Sequence, residues 1–178
     1  MPALQHDPDS SRIICDTQTP GHMTWLALPA SLLRTITMTT LTLDQAQRII
    51  AAALQASNKA GYQPMGVAVL DAAGQLISYA REDGASMFRF DIARAKAWGA
   101  AGMGVSSRTL AERAKDNPNF FVSLSATSEG KFLPQPGAVV IKDASGKIMG
   151  AVGASGGTGD QDEEICIAGV KSVGLQHG

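Results

Sequence analysis

The sequence predicts an α+β domain with a central antiparallel sheet flanked by helices, and three observations carry that prediction. Two pairs of short apolar segments are each joined through an Asp-Ala-x-Gly link, at Asp71-Ala-Ala-Gly74 and at Asp143-Ala-Ser-Gly146. Segments with apolar residues at helical spacing stand before, between and after these pairs. The links are too short for a crossover, so each pair is a hairpin and its strands run antiparallel.

Taken in order, Thr42 is placed to cap a first helix, with Gln45 three residues on as its capping-box partner. Ala46, Ile49, Ile50, Ala53 and Leu54 then recur at helical spacing, and Gly61 stops the helix. Met65–Leu70 and Gln75–Ala80 form the first hairpin, which Arg81-Glu-Asp-Gly84 ends. An alanine-rich helix runs over Phe88–Met103, closed by Gly102 and Gly104. Ser106 or Ser107 caps a further helix to about Lys115, which Pro118 breaks. Ser123–Gly137 reads as irregular, with Pro134 and Pro136 near its end. The second hairpin comprises Ala138–Ile141 and Lys147–Ala154. A glycine-rich turn over Gly153–Gly159 follows, then a last helix over Asp160–Leu175.

Size and composition fit one domain: 178 residues, 44% of them hydrophobic. Aromatics are only 5%, so the core is built mainly from Ala, Val, Ile, Leu and Met. Small residues at Ala93, Ala97, Ala100 and Ala101 let their helix approach the sheet or another subunit closely. A net charge of -1 supplies no basic field for nucleic acid or for an anionic membrane surface. The two cysteines, Cys15 and Cys166, make neither a disulfide framework nor a CxxC pair, which points to a reducing, cytoplasmic setting.

Residues 1–38 differ from the rest and are expected to be a disordered extension or the product of a start codon placed too early; the domain proper spans 39–178. Met23–Leu33 is mildly apolar, but it is too short to span a bilayer and is interrupted by Pro29. An export signal remains the alternative, although only Arg12 is basic ahead of that stretch.

Several residues are candidates for chemistry, each with an ordinary structural role beside it. Gly153, Ser155, Gly156, Gly157 and Thr158 lead straight into a helix, where backbone N–H groups and the positive dipole end can receive an anion. The same turn can instead be capped by its own Asp160 or Asp162. Asp160, Glu163 and Glu164 share one helix face and can hold a hard cation or ferric iron, or simply complement the dipole. Arg81 can clamp a carboxylate, and Asp83 can act as an acid or base or serve as a turn residue. Lys96, among small neighbours, is either desolvated and reactive, able to pair with a ligand carboxylate, or extended to solvent. Met87, Phe88 and Phe90 pack in the core or line an apolar pocket, and Cys166 reads as a buried structural thiol. Nothing forms a catalytic triad, a Walker loop or a dinucleotide fingerprint.

Three stretches taken together resemble the GlcG/HbpS-like, haem-degrading-type family. They are Gly66-Val-Ala-Val-Leu-Asp-Ala-Ala-Gly-Gln-Leu76 with Arg81-Glu-Asp-Gly-Ala85; Ala93-Arg-Ala-Lys-Ala97; and Ile148-Met-Gly-Ala-Val-Gly-Ala-Ser-Gly-Gly157 with Asp160-Gln-Asp-Glu-Glu164 and Ala168-Gly169. The resemblance implies a profilin-like α/β/α sandwich, homo-oligomers from dimer to octamer, and binding of haem, a corrinoid or iron in some members. Many members sit among genes of glycolate-type or other catabolism, so a small enzyme or accessory protein acting on a carboxylate metabolite is the alternative to a small-ligand-binding domain. The sequence departs from the family where Pro136-Gly-Ala-Val-Val-Ile141 stands for the usual Pro-Gly-Gly-Val-Pro-Ile. It departs again in its histidines: His6, His22 and His177 all fall outside the expected core, which leaves haem iron no core imidazole.

Overall fold

The computed structural model describes residues 40–178. The expectation for residues 1–38, with Cys15, His6 and His22, lies outside them. Helix α1 (Leu43–Ala60) starts at a capping box: Thr42 accepts from the Gln45 amide, and the Gln45 side chain accepts from the Thr42 amide at 3.0 Å. It ends at Gly61 in the left-handed region, φ 69°. Thr42→Ala is expected to lower the unfolding free energy by about 1 kcal/mol, read from the midpoint of a urea titration; an unchanged midpoint would show that the cap contributes nothing.

Strands β1 (Gly66–Asp71) and β2 (Leu76–Arg81) form the first hairpin, and β3 (Ala138–Lys142) and β4 (Ile148–Ser155) the second. Both turns close the same way. Asp71 Oδ1 accepts from the amides of Ala73 and Gln75, and Asp143 Oδ1 from those of Ser145 and Lys147. The hairpins join through β1 and β4, giving a five-stranded sheet ordered β2-β1-β4-β3-β5 with every pairing antiparallel. Strand β5 (Gln176–His177) pairs with β3 at the far edge.

Helices cover both faces of the sheet, so β1 and β3 are continuously apolar and buried up to their last residues, Asp71 and Lys142, rather than alternating. Val67, Val69, Val139, Ile141 and Val152 pack against α1 and α5 (Gly159–Ser172). Ala68, Leu70, Ala138, Val140 and Ala151 face α2 (Arg89–Met103). The second layer is lined by alanines on both sides of the contact, which brings α2 close to the strands. Helices α3 (Ser107–Asp116) and α4 (Pro118–Thr127) enclose a small cluster of Leu110, Phe121 and Phe132 beside it.

The structure corrects the sequence reading in four places. Pro118, expected only to break the preceding helix, begins α4, which runs to Thr127 and so into the stretch from Ser123 expected to be irregular. It stands at the first helical position, where its missing N–H removes no bond. The last helix, expected to reach Leu175, ends at Ser172, and Gly174 turns the chain back so that His177, expected outside the core, joins the edge of the sheet. Gly153 and Ser155 belong to β4, so the turn is shorter than expected. Met87 and Phe88 are exposed rather than in the core, while Phe90 stacks edge-on against Tyr79 with centroids 4.8 Å apart. No helix among the described residues is long and apolar enough to cross a membrane.

Candidate functional site

The end of β4, the start of α5 and the first turns of α2 meet around a cleft of about 560 Å³. Arg89, Ile92 and Lys96 line it from α2, at spacings of three and seven residues that place them on one helix face. Ser155 and Gly157 form its floor, and Leu133 and Pro136 a largely apolar wall. The volume lies in the range of small-molecule sites.

The charges in this cleft are nearly all internally paired. Lys96 Nζ lies 2.7 Å from Asp162 Oδ2 and 3.2 Å from the Ala154 carbonyl oxygen, with both side chains buried. The other Asp162 oxygen accepts from the Gly157 amide at 3.0 Å. Thr158 and Gln161 form a second capping box, which takes up the amides of Thr158 and Gln161. Arg108, from α3, bridges Asp160 and Glu163, and these hydrogen bonds raise its pKa above the usual guanidinium value. Arg89 differs. It makes no ion pair among the described residues; one terminal nitrogen lies 3.4 Å from Ser155 Oγ, and its buried Nε has no partner. A half-buried guanidinium beside a serine hydroxyl and a helix start is suited to a carboxylate.

The family model for haem degrading protein HbpS-like matches residues 41–171. The chain belongs to this family. Among solved structures, the HbpS-like domain is similar to HbpS, with 28% identity and TM-score 0.66 over 82% of this chain and 97% of that one. A double mutant of HbpS from Streptomyces reticuli gives 27% identity and TM-score 0.65, over 85% and 97%. A complex of PduOC with haem shares the fold at 22% identity and TM-score 0.69, over 77% and 97%. No curated protein matches the chain.

Within the HbpS-like domain, the residues singled out from sequence separate into two places. Lys96, Ser155 and Gly157 line the cleft described above, with Asp160 at its mouth. Arg81 and Asp83 line a second cleft of about 460 Å³, with Asn58, Tyr62 and Glu82. Asp83 and Lys96 therefore do not share one cleft. Lys96 is buried and ion-paired instead of reaching solvent. Gly153 is within the sheet, Gly156 sits over Met65, and Thr158 caps α5. Of the three acids considered for a metal, Asp160 and Glu163 face Arg108, while Glu164 accepts from the Tyr62 hydroxyl at 2.8 Å. That hydrogen bond is the main cause of a raised Tyr62 pKa. No group of three or more His, Cys, Asp and Glu is placed to hold a metal ion among the described residues. Cys166 is buried, as expected, and burial pushes its thiol pKa far up, which keeps it unreactive.

Sequence reasoning missed Arg89 and the partnership of Lys96 with Asp162. The available signal for Arg89 was its spacing to Ile92 and Lys96 on the alanine-rich helix. It carried weight only once that helix was known to place its first turn over Ser155.

Proposed function

We propose that this chain is a small-ligand-binding domain that takes haem or a related tetrapyrrole in the cleft between α2 and α5. The observation that carries the reading is Arg89, a half-buried cation without a counter-charge, at the one cleft where the glycine turn, Ser155 and an apolar wall meet. Family membership supports it, as does the fold shared with a protein captured in complex with haem. The residues fit the acidic edge of such a molecule: Arg89 and Ser155 would hold a propionate, and Ile92, Leu133 and Pro136 would lie against the ring. When bound, haem would supply redox-active iron. The glycine turn serves as floor rather than as principal anion receptor, because its amides at Gly157 and Thr158 already have acceptors. Acid-base chemistry on a small carboxylate, with Lys96 or Asp83 as the group, is the weaker reading, because Lys96 is ion-paired and Asp83 lines the other cleft.

Titrating the protein with haem is expected to give a saturable shift of the Soret band. Arg89→Ala is expected to weaken binding at least about tenfold, the scale of one hydrogen bond to a charged group. An unshifted free-haem spectrum would remove the proposal.

Self-association is part of the same proposal. Strand β2 is an open sheet edge, and Met87 and Phe88 stand exposed in the segment that follows it.

A further inference from the structure

We infer that the cleft holds a tetrapyrrole by its carboxylate edge and gives the central metal no axial ligand from the described residues. The inference rests on the binding proposed above and specifies which part of the molecule is recognised.

Haem iron is held by imidazole, thioether, thiolate or phenolate side chains. None of these lines the cleft, whose polar side chains are those of Arg89, Lys96, Gln135, Ser155, Asp160 and Asp162. Lys96 could ligate only by leaving Asp162, a partner 2.7 Å away in a buried setting. Of the remaining donors among the described residues, Tyr62 lines the other cleft, Met87, Met103 and Met149 do not line this one, and the rest are closed off or remote. Met65 is fully buried beneath the turn, so close to Gly156 that a Cβ there would lie 2.4 Å from its sulfur. Cys166 is sealed in the α1/α5 layer with its sulfur 3.6 Å from the Gly137 carbonyl oxygen. The Tyr79 hydroxyl is buried near Gly66, and desolvation favours its protonated form, which is a poor ligand. His177 pairs with Ile141, itself opposite Gly150, five residues along β4 from Ser155. At the strand rise this is about 16 Å from the cleft floor.

What the cleft does offer is directional toward an acid. A guanidinium presents a planar fork that a carboxylate matches, and Arg89 lines the cleft with a terminal nitrogen 3.4 Å from Ser155 Oγ and no carboxylate paired to it among the described residues. Asp162 is neutralised by Lys96, while Asp160 at the mouth shares Arg108 with Glu163. A ligand acid arriving at Arg89 therefore meets a cation that is not itself paired to a carboxylate among the described residues.

The test uses the full chain and four probes: ferric haem, zinc protoporphyrin, metal-free protoporphyrin and its dimethyl ester, each titrated by absorbance and fluorescence. The three diacids are expected to bind within about threefold of one another, and the ester at least about tenfold more weakly, the scale of one charge-assisted contact. In Arg89→Gln the gap between acid and ester should close. If haem saturates the protein and metal-free protoporphyrin binds more than about tenfold worse, the metal is being ligated and the inference fails while the proposed function stands. The ester binding as well as the acid would overturn the carboxylate anchor. If none of the four binds, the proposed function falls and the inference with it.

Discussion

Gly153→Ala is expected to destabilise the domain by about 3 kcal/mol or more, beyond the middle of the overpacking range. Gly153 lies in β4, paired with Ala68 on one side and Ala138 on the other, so both flanking strands hold it in place. Helix α2 crosses directly above it. A Cβ at this position would lie 2.3 Å from the Ala93 carbonyl oxygen and 3.0 Å from the Ala97 amide nitrogen. Both are backbone atoms of a helix, so no rotamer change relieves the contact and the whole helix must move. The same helix carries Arg89 and Lys96, so lifting it would also open the cleft. Gly102, on the same helix, is the control. Nothing lies within 4 Å of a Cβ added there, and alanine should stabilise by about 0.5–1 kcal/mol through helix propensity alone. Guanidinium unfolding midpoints should fall for the first variant and rise for the second. A wild-type midpoint for Gly153→Ala would mean that α2 does not sit as close to the sheet as described.

That close approach also explains how much the sequence disclosed. The hairpins could be read because Asp-Ala-x-Gly fixes its own turn, with Asp71 and Asp143 accepting amides two and four residues on. The α/β/α layering followed from the resemblance, and the continuously apolar run Gly66–Leu70 is its physical counterpart in the structure. Signals that depend on tertiary context were lost. Pro118 looks like a breaker in isolation, and its role as a helix start depends on the chain turning at Asn117. Strand β5 is two residues long and has no pattern of its own; it exists because Gly174 directs the chain along β3. The cleft is a stronger case. The acids at the start of α5 looked like a cluster open to a cation, yet their partners lie far away in sequence, Lys96 for Asp162 and Arg108 for Asp160 and Glu163. One-dimensional spacing cannot show that Arg89 is the cation left over.

The Lys96–Asp162 pair should behave as a structural clamp with strong coupling between its members. Asp162 joins three segments: it receives Lys96 from α2 and the Gly157 amide from the turn, and it lies in the first turns of α5. Removing it in Asp162→Ala leaves the ammonium of the buried Lys96 with the Ala154 carbonyl as its remaining partner. The expected loss is about 3–5 kcal/mol, because the cost is that of an uncompensated buried charge rather than of the pair itself. Lys96→Met leaves the opposite orphan, softened by the Gly157 amide, and should cost less. In the double variant Lys96→Met/Asp162→Ala neither charge remains, so the loss should be smaller than the sum of the single losses by about 1–3 kcal/mol. Lys96→Met keeps Arg89 and the Asp162–Gly157 bond but leaves Asp162 without its counter-charge in the same cleft, so it should weaken tetrapyrrole binding as well as stability. Asp162→Ala frees the turn under Ser155 and should weaken binding as well as stability. Additive losses, within about 0.5 kcal/mol, would show that Lys96 and Asp162 do not act on each other, and the account of a neutralised cleft with Arg89 as its free cation would lose its basis.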